Sequence, residues 1–400
     1  MVILNKLGVV LGACGIHVCI GSVYAWSVLT NPIAQLTGWD LSSITFTFSI
    51  AILFLGLSAG FLGNRVQCWG PQMSAMFSAG FFVIGLLGSS VAMHFESIWL
   101  LYLFYGVIGG IGLGIGYISP VATLLKWFPN NRGFAGGCAV MSFGFSALIA
   151  GPLMSWLVVQ VGVENTFVIM AVIYFIIMRL SSLGLHNPPP EVASETLKVI
   201  NCSKPKYLNI DTNAAMKTPD FWILWTIFFI NISCGIALLS IASPLAENVG
   251  MTPYEAAGMV GMIGLLNGGG RIFCASASDY LGRPNTYIGF FLIEIIAFWM
   301  LSFTSNPYLF QSIIFVIVAC YGGGFSCMPA YISDIFGTKW LSAIHGRILT
   351  AWGVAGIVGP MTITLLYEKF GTHVISLRIF TLLFIISLAL AIQLKIRNKK

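Results

Sequence analysis

The sequence predicts an all-α membrane protein whose twelve transmembrane helices form two six-helix bundles. Of its 400 residues, 58% are hydrophobic and only 8% are charged, which is too few charges to cover the surface of a soluble protein of this length. Apolar runs of about 20 residues, the length that crosses a bilayer, recur between short polar breaks. The longest polar stretch lies near the middle of the chain and divides these runs into six and six.

The apolar runs define the predicted spans in chain order. They are 7–29, 42–62, 74–94, 98–127, 134–160, 166–186, 221–248, 255–278, 286–304, 307–333, 342–366 and 373–394. The first run continues past any cleavage site and keeps Tyr24 and Trp26, so we expect a span here and not a removable signal peptide.

The basic residues predict the orientation of these spans. An even number of spans puts both termini on one side, and sixteen of the nineteen Lys and Arg residues fall on that side, here named the basic face. The positive-inside rule makes the basic face cytoplasmic in a cell membrane. Six acids mark the opposite, acidic face: Asp40, Glu96, Glu164, Glu247, Glu255 and Glu368. The net charge of +6 is thus a topology signal and does not indicate a nucleic-acid partner.

The two halves of the chain repeat each other. Gly151-Pro152 in the fifth run corresponds to Gly359-Pro360 in the eleventh, and Asn64-Arg65 after the second run corresponds to Asp279-Tyr280 after the eighth. The two offsets, 208 and 215 residues, are nearly equal and indicate a duplication. We therefore predict an N-terminal bundle at 1–186, a cytoplasmic linker at 187–220 and a C-terminal bundle at 221–400, the architecture of a rocker-type secondary transporter.

One arginine lies deep inside an apolar run. Arg271 is eight residues from the charged end of its helix at Asp279, or about 12 Å at a rise of about 1.5 Å per residue, near the middle of the hydrocarbon core. An unpaired arginine there costs at least about 2.5–3.5 kcal/mol. We expect it to face a wet cavity or a partner, either a bound anion or an internal ion pair with Glu294 or a helix-end carbonyl.

Other chemistry is not indicated. The nine cysteines show no metal-ligand spacing and no disulfide framework, and the glycine runs carry no phosphate-loop signature. No nucleophile–base constellation or paired carboxylates appear. We predict no cofactor, no metal and no enzyme activity.

The segment after the eighth run resembles the signature of the major facilitator superfamily. It keeps Asp279, Gly282 and Arg283, while the first copy is degraded and retains Asn64 and Arg65. An acid and an arginine at facing helix ends can lock one mouth of a carrier in one state and release it in another. We expect Asp279, Arg283 and Arg65 to belong to such a gate, the alternative being solvated loop charges.

Several further segments resemble one branch of that superfamily, the oxalate/formate antiporter family. They are Gly21-SVYAWSVLTNP-Ile33, Lys126-WFPNNRG-Phe134, Lys217-TPDFWILW-Thr226, Asn267-GGGRIF-Cys274 and Ser333-DIFGT-Lys339. The resemblance implies the major facilitator fold and a cavity between the halves. In that cavity basic residues hold a small carboxylate and aromatic residues enclose it.

The resemblance carries over to this chain residue by residue. Arg271 matches the family's carboxylate-binding arginine, and Tyr24 and Tyr117 match tyrosines that face the cavity. Other positions depart from the oxalate carrier: Phe143, Phe325 and His17 replace tyrosines, Tyr321 replaces a tryptophan, and Trp352 replaces a second cation, a lysine. A dianion facing one cation would leave a buried charge uncompensated, so the substitution at Trp352 favours a monocarboxylate such as formate, lactate or pyruvate.

Three further ionisable residues are interpreted with alternatives open. His17 supplies a second charge when protonated, one neutral hydrogen bond, or only packing. Glu294 is either a proton-coupling group or a neutral packing residue. His345, near the inner mouth, is expected to belong to the gate loop.

We therefore predict a multi-pass carrier of the cytoplasmic membrane, acting as a monomer, that moves a small organic anion by alternating access. A coupled proton, a counter-anion and simple uniport all remain open. The alternatives are an exporter of drugs or other apolar compounds, which would not need Arg271, and a non-transporting membrane sensor.

Overall fold

The computed structural model describes residues 2–190, 207 and 210–398, and its regular secondary structure in this part of the chain is entirely helical. The helices of the first half are α1 (Val2–Gly21), α2 (Ser27–Thr37), α3 (Leu41–Trp69), α4 (Pro71–His94), α5 (Ile98–Leu101), α6 (Gly110–Trp127) and α7 (Arg132–Gly184). A 3₁₀ turn, Ser22–Ala25, joins α1 to the short α2, and a π-helical segment, Tyr102–Gly109, joins α5 to α6.

The second half repeats this pattern after a short helix. Its members are α8 (Thr212–Met216), α9 (Pro219–Ser240), α10 (Ala242–Asn248), α11 (Pro253–Leu281), α12 (Arg283–Leu301), α13 (Pro307–Phe336), α14 (Leu341–Phe370) and α15 (Val374–Asn398).

The described residues contain ten helices that are long and apolar enough to cross a membrane. One of them, α7, comprises two of the predicted spans, because Gly162 has φ +80° and ψ 170° and breaks its 53 residues at the acidic face. Helix α11 has the length of a span but carries polar groups that include Asn267, Arg271 and Asp279. The predicted twelve-span, all-α fold is confirmed.

Two helix pairs make the most extensive contacts between the halves. Helix α3 packs along α14, and the first part of α7 packs along α11. Both contacts need glycine, since a Cβ atom at Gly346 would lie 2.0 Å from the Ala59 carbonyl oxygen and one at Gly133 would lie 2.1 Å from that of Ala275. These close approaches bring the middle of α11 against the N-terminal half.

The linker is only partly described. Residues 191–206 and 208–209 of the predicted linker 187–220 lie outside the described residues, and the predicted boundaries between the two bundles remain a prediction. Beyond them, the Thr212 hydroxyl donates to the side-chain oxygen of Asn64 at 3.0 Å. This contact joins α8 to the basic-face end of α3.

Candidate functional site

Arg271 is fully buried between the two halves, with a relative exposure of 0%. Its Nη1 donates to the Val140 carbonyl oxygen of α7 at 3.0 Å, and its Nε donates to Oδ1 of Asn267, one turn away on α11, at 3.4 Å. The guanidinium carbon lies 5.1 Å from the centre of the Phe325 ring. The second amino group, Nη2, has no hydrogen-bond partner among the described residues.

No carboxylate of the described residues forms an ion pair with Arg271. The alternative of an internal pair with Glu294 is therefore not realised, although the Val140 carbonyl does bind one edge of the guanidinium. A hydrogen bond to a neutral carbonyl leaves the charge uncompensated in a dry site. The arginine thus keeps an electrostatic requirement for an anion.

Aromatic and imidazole rings from both halves surround this arginine. We name the set the central cluster: His17, Tyr24, Tyr117, Phe143, Arg271, Tyr321, Phe325, His345 and Trp352. Tyr117 lies at its middle, because ring centres of five other members lie within about 6 Å of its own: His17 at 5.2 Å, Trp352 at 5.4 Å, Phe143 at 5.5 Å, Phe325 at 5.9 Å and His345 at 6.0 Å. The structure therefore brings the sequence-predicted site residues Arg271, Tyr24, Tyr117, Tyr321, Trp352 and His17 together.

The central cluster contains an unusual density of unpartnered polar atoms. Among the described residues, seven of its buried nitrogen and oxygen atoms make no hydrogen bond: His17 Nε2, Tyr24 Oη, Tyr117 Oη, Arg271 Nη2, His345 Nδ1, His345 Nε2 and Trp352 Nε1. The Tyr24 hydroxyl lies beside Arg271 and Tyr321 but outside hydrogen-bonding geometry. Buried polar atoms are nearly always paired in folded proteins, so such a concentration makes the cluster a candidate site for a polar ligand.

The tautomer of His17 follows from its one hydrogen bond. Nδ1 lies 3.0 Å from the Ala13 carbonyl oxygen, and a carbonyl can only accept, so Nδ1 carries the proton. In the neutral ring, Nε2 then presents a lone pair to the cluster. A doubly protonated His17 would put a second cation beside Arg271 without a carboxylate, which is costly in a buried site.

His345 was expected in the gate loop, and that expectation is wrong. It lies on α14 with 1% exposure and packs against Tyr117. The signal that could have found it is spacing, because His345 and Trp352 are seven residues apart, two helical turns, and share one face.

Glu294 lies apart from the central cluster, buried on α12 with 1% exposure. Its Oε2 has no hydrogen-bond partner among the described residues. The thiols of Cys234 and Cys320 lie near it. Its suggested part in proton coupling remains a prediction.

A second polar assembly joins the halves at the basic face. We name it the basic-face lock and define it as Arg132, Asp279, Arg283 and Asp334. Arg132 Nη2 lies 2.7 Å from Asp334 Oδ1, and Arg283 bridges Asp279 and, at 3.6 Å, Asp334. The lock thus combines residues of α7 with residues at the ends of α11, α12 and α13.

Asp279 also closes the start of α7. Its two carboxylate oxygens accept hydrogen bonds from the backbone N–H groups of Gly133, at 2.9 Å, and Phe134, at 3.0 Å. A helix N-terminus leaves such donors unpaired and favours negative charge. An acid of the second half therefore caps a helix of the first half at the basic face.

Two of the three predicted gate residues belong to the lock, and the third does not. Asp279 and Arg283 occupy the lock, whereas Arg65 is exposed and forms no ion pair within the described part of the chain. Arg132 and Asp334 are lock members that sequence reasoning missed as partners. Both stand in segments that carried the family resemblance, at helix ends on the same face, which is the signal that could have paired them.

A twelve-span protein whose two halves enclose a buried cation has the architecture of a secondary transporter. The chain belongs to the Major Facilitator Superfamily, whose family model matches residues 11–360. Its fold and family are those of a transporter and not of an enzyme.

Individual relatives agree with this assignment. The oxalate:formate antiporter of Oxalobacter formigenes is 26% identical over 341 residues, covering 85% of this chain and 79% of that protein. Apicoplast pyruvate carrier 1 of Toxoplasma gondii is 22% identical, with 85% and 79% covered. Among solved structures, a fucose:proton symporter of Escherichia coli superposes with a TM-score of 0.73 at 12% identity, covering 96% of this chain and 98% of that one. The resemblance to the oxalate/formate antiporter family is confirmed.

Proposed function

We propose that this transporter moves a small monocarboxylate across the cytoplasmic membrane, with both termini in the cytoplasm and Arg271 binding the carboxylate. The observation that carries the proposal is the state of Arg271. It is fully buried, no carboxylate of the described residues pairs with it, and Nη2 has no hydrogen-bond partner there. A bound carboxylate would supply both the missing charge and an acceptor.

The charge of the substrate follows from the composition of the central cluster. Arg271 is the only arginine or lysine in it, and the position that holds a lysine in the oxalate carrier holds Trp352 here, fully buried. One negative charge is neutralised by one guanidinium, whereas a second would remain buried without a partner. This supports a monocarboxylate over oxalate, with Tyr24, Tyr117 and Tyr321 as walls and Trp352 covering the rest of the molecule.

Transport requires that the two halves separate alternately at each face. The central cluster draws residues from both halves, so separation exposes Arg271 to water, which competes for the guanidinium and releases the substrate. The basic-face lock holds one mouth closed while the substrate binds from the other side. Because Arg271 is fully buried here, the substrate would reach it when the opposite, acidic face opens.

The test is uptake of labelled formate, lactate, pyruvate and oxalate into proteoliposomes by the wild type and by Arg271→Gln. We expect saturable flux of one or more of the three monocarboxylates, little oxalate flux, and a loss of roughly 100-fold in the variant, the effect of deleting one side of a buried charge pair. Arg378→Gln is the matched control, because Arg378 packs over Trp299 and Phe303 outside the cluster.

Each contrary outcome has a definite meaning. Equal monocarboxylate flux in both proteins would remove Arg271 from the site. Strong oxalate exchange would refute the single-charge argument at Trp352. Export of neutral apolar compounds that is insensitive to Arg271→Gln would favour the drug-exporter alternative.

A further inference from the structure

The unpartnered polar atoms of the central cluster include both hydrogen-bond donors and acceptors. This mixture indicates which chemical group the substrate carries in addition to its carboxylate. The inference rests on the proposed function and concerns the same site. Trp352 Nε1 is a donor, because an indole N–H has no acceptor capacity. His17 Nε2 is an acceptor in the neutral ring, since the bond to Ala13 fixes the proton on Nδ1.

These two atoms belong to rings that share two neighbours. His17 and Trp352 are both neighbours of Tyr117, at 5.2 and 5.4 Å between ring centres, and both are neighbours of Phe143, at 6.2 and 5.8 Å. His17 comes from α1 in the first half and Trp352 from α14 in the second. Both are fully buried, and neither atom has a partner among the described residues.

Trp352 is linked through Phe325 to the proposed carboxylate-binding group. The guanidinium of Arg271 stacks on Phe325, and Phe325 contacts Trp352 at 4.7 Å between ring centres. An unpaired donor and an unpaired acceptor therefore belong to the same buried cluster as the cation.

A hydroxyl group is the complement of this pair, because it donates one hydrogen and accepts another. We propose that the substrate is a 2-hydroxy monocarboxylate. Arg271 binds its carboxylate, His17 Nε2 accepts the hydrogen of its 2-hydroxyl, and Trp352 Nε1 donates to the oxygen. A 2-oxo acid satisfies Trp352 but sets its oxygen against the His17 lone pair, and an acid without the oxygen satisfies neither.

The test compares three labelled three-carbon acids that differ only at the second carbon: lactate, pyruvate and propionate. In proteoliposomes of the wild type, kcat/KM should be about 100-fold higher for lactate than for propionate, with pyruvate between them, because each unmet buried hydrogen bond costs roughly tenfold. Trp352→Phe should reduce the lactate-to-propionate ratio about tenfold. His17→Phe should abolish the preference for lactate over pyruvate, and His17→Gln, which retains an acceptor, should keep most of it.

Ratios measured within one variant do not depend on how much of the protein is folded. Trp225→Phe is the control, because it removes an indole N–H that donates to Thr350 outside the cluster, and its ratios should equal those of the wild type. Wild-type kcat/KM values for the three acids that lie within about threefold of one another would overturn the inference. Variants that lower kcat/KM equally for all three acids would also overturn it. If the three acids are carried equally and their transport still requires Arg271, the proposed monocarboxylate transport stands and the 2-hydroxyl inference fails. If none of the acids is carried, both the proposed function and the inference fail.

Discussion

The central cluster and the basic-face lock are both buried polar assemblies formed by the two halves, yet they are completed in opposite ways. In the lock, two arginines face two aspartates, and Asp279 also accepts hydrogen bonds from two backbone N–H groups of α7. In the cluster, one arginine faces aromatic rings and neutral amide oxygens. The lock contains its own counter-charges, whereas the cluster does not.

This difference fits the proposal that the lock holds a conformation and the cluster binds the substrate. A self-neutralised network gains nothing from an external ion and serves to keep a conformation. A cation without a counter-charge gains most from an ion that arrives from solution. The three predictions below either erase this difference or test one side of it.

The largest effect is expected from giving the centre its own counter-charge. Asn267 Oδ1 already lies 3.4 Å from Arg271 Nε, so Asn267→Asp places a carboxylate beside the guanidinium with almost no change in shape. The internal pair should compete with the substrate and lower monocarboxylate uptake about 100-fold, while the Tm of the purified protein stays equal or rises. Asn267→Ser is the neutral control and should retain most uptake; equal uptake in Asn267→Asp and the wild type would contradict the account.

An intermediate effect is expected from opening the lock. Asp334→Asn leaves Arg132 without its partner at 2.7 Å and weakens the hold of Arg283. The backbone N–H groups of Gly133 and Phe134 donate hydrogen bonds to Asp279, and hydrogen exchange at these two amides should accelerate about tenfold. The effect is moderate because Asp334 is partly exposed, and its ion pairs stabilise less than fully buried ones.

The preference among monocarboxylates should stay unchanged in Asp334→Asn, since the lock does not touch the central cluster. Arg65→Gln is the control and should leave exchange at both amides as in the wild type. Unchanged exchange in Asp334→Asn, or an altered substrate preference, would show that the two regions are not separate in function.

The smallest effect is expected at Glu294. This carboxyl is buried away from the central cluster, and Glu294→Gln preserves the shape of a protonated side chain. If Glu294 is a neutral packing residue, lactate uptake should change by less than about twofold, and any stimulation by an imposed pH gradient should persist. Loss of that stimulation with uptake otherwise intact would instead support proton coupling through Glu294.

The sequence predicts the fold well because the bilayer imposes a length on each span and a cost on each buried charge. That cost also identified Arg271 as a buried cation. The lock was harder to predict, since Arg132 and Asp334 are 202 residues apart and only the packing of α7 against the second half brings them together. His345 was misplaced although the predicted span 342–366 contains it. It follows the start of α14 by only four residues, and its contact with Tyr117 depends on how the two halves pack.

The central claim is that the protein gives Arg271 no counter-charge and that a substrate with one negative charge supplies it. Ligand-induced stabilisation of the purified protein tests this claim most directly. A ligand that binds only the folded state raises Tm, and does so more strongly the higher its concentration is relative to its Kd. We predict that lactate raises the Tm of the wild type and not of Arg271→Gln, and that oxalate at the same concentration raises it less. Equal shifts in both proteins, or a larger shift with oxalate than with lactate, would contradict the account.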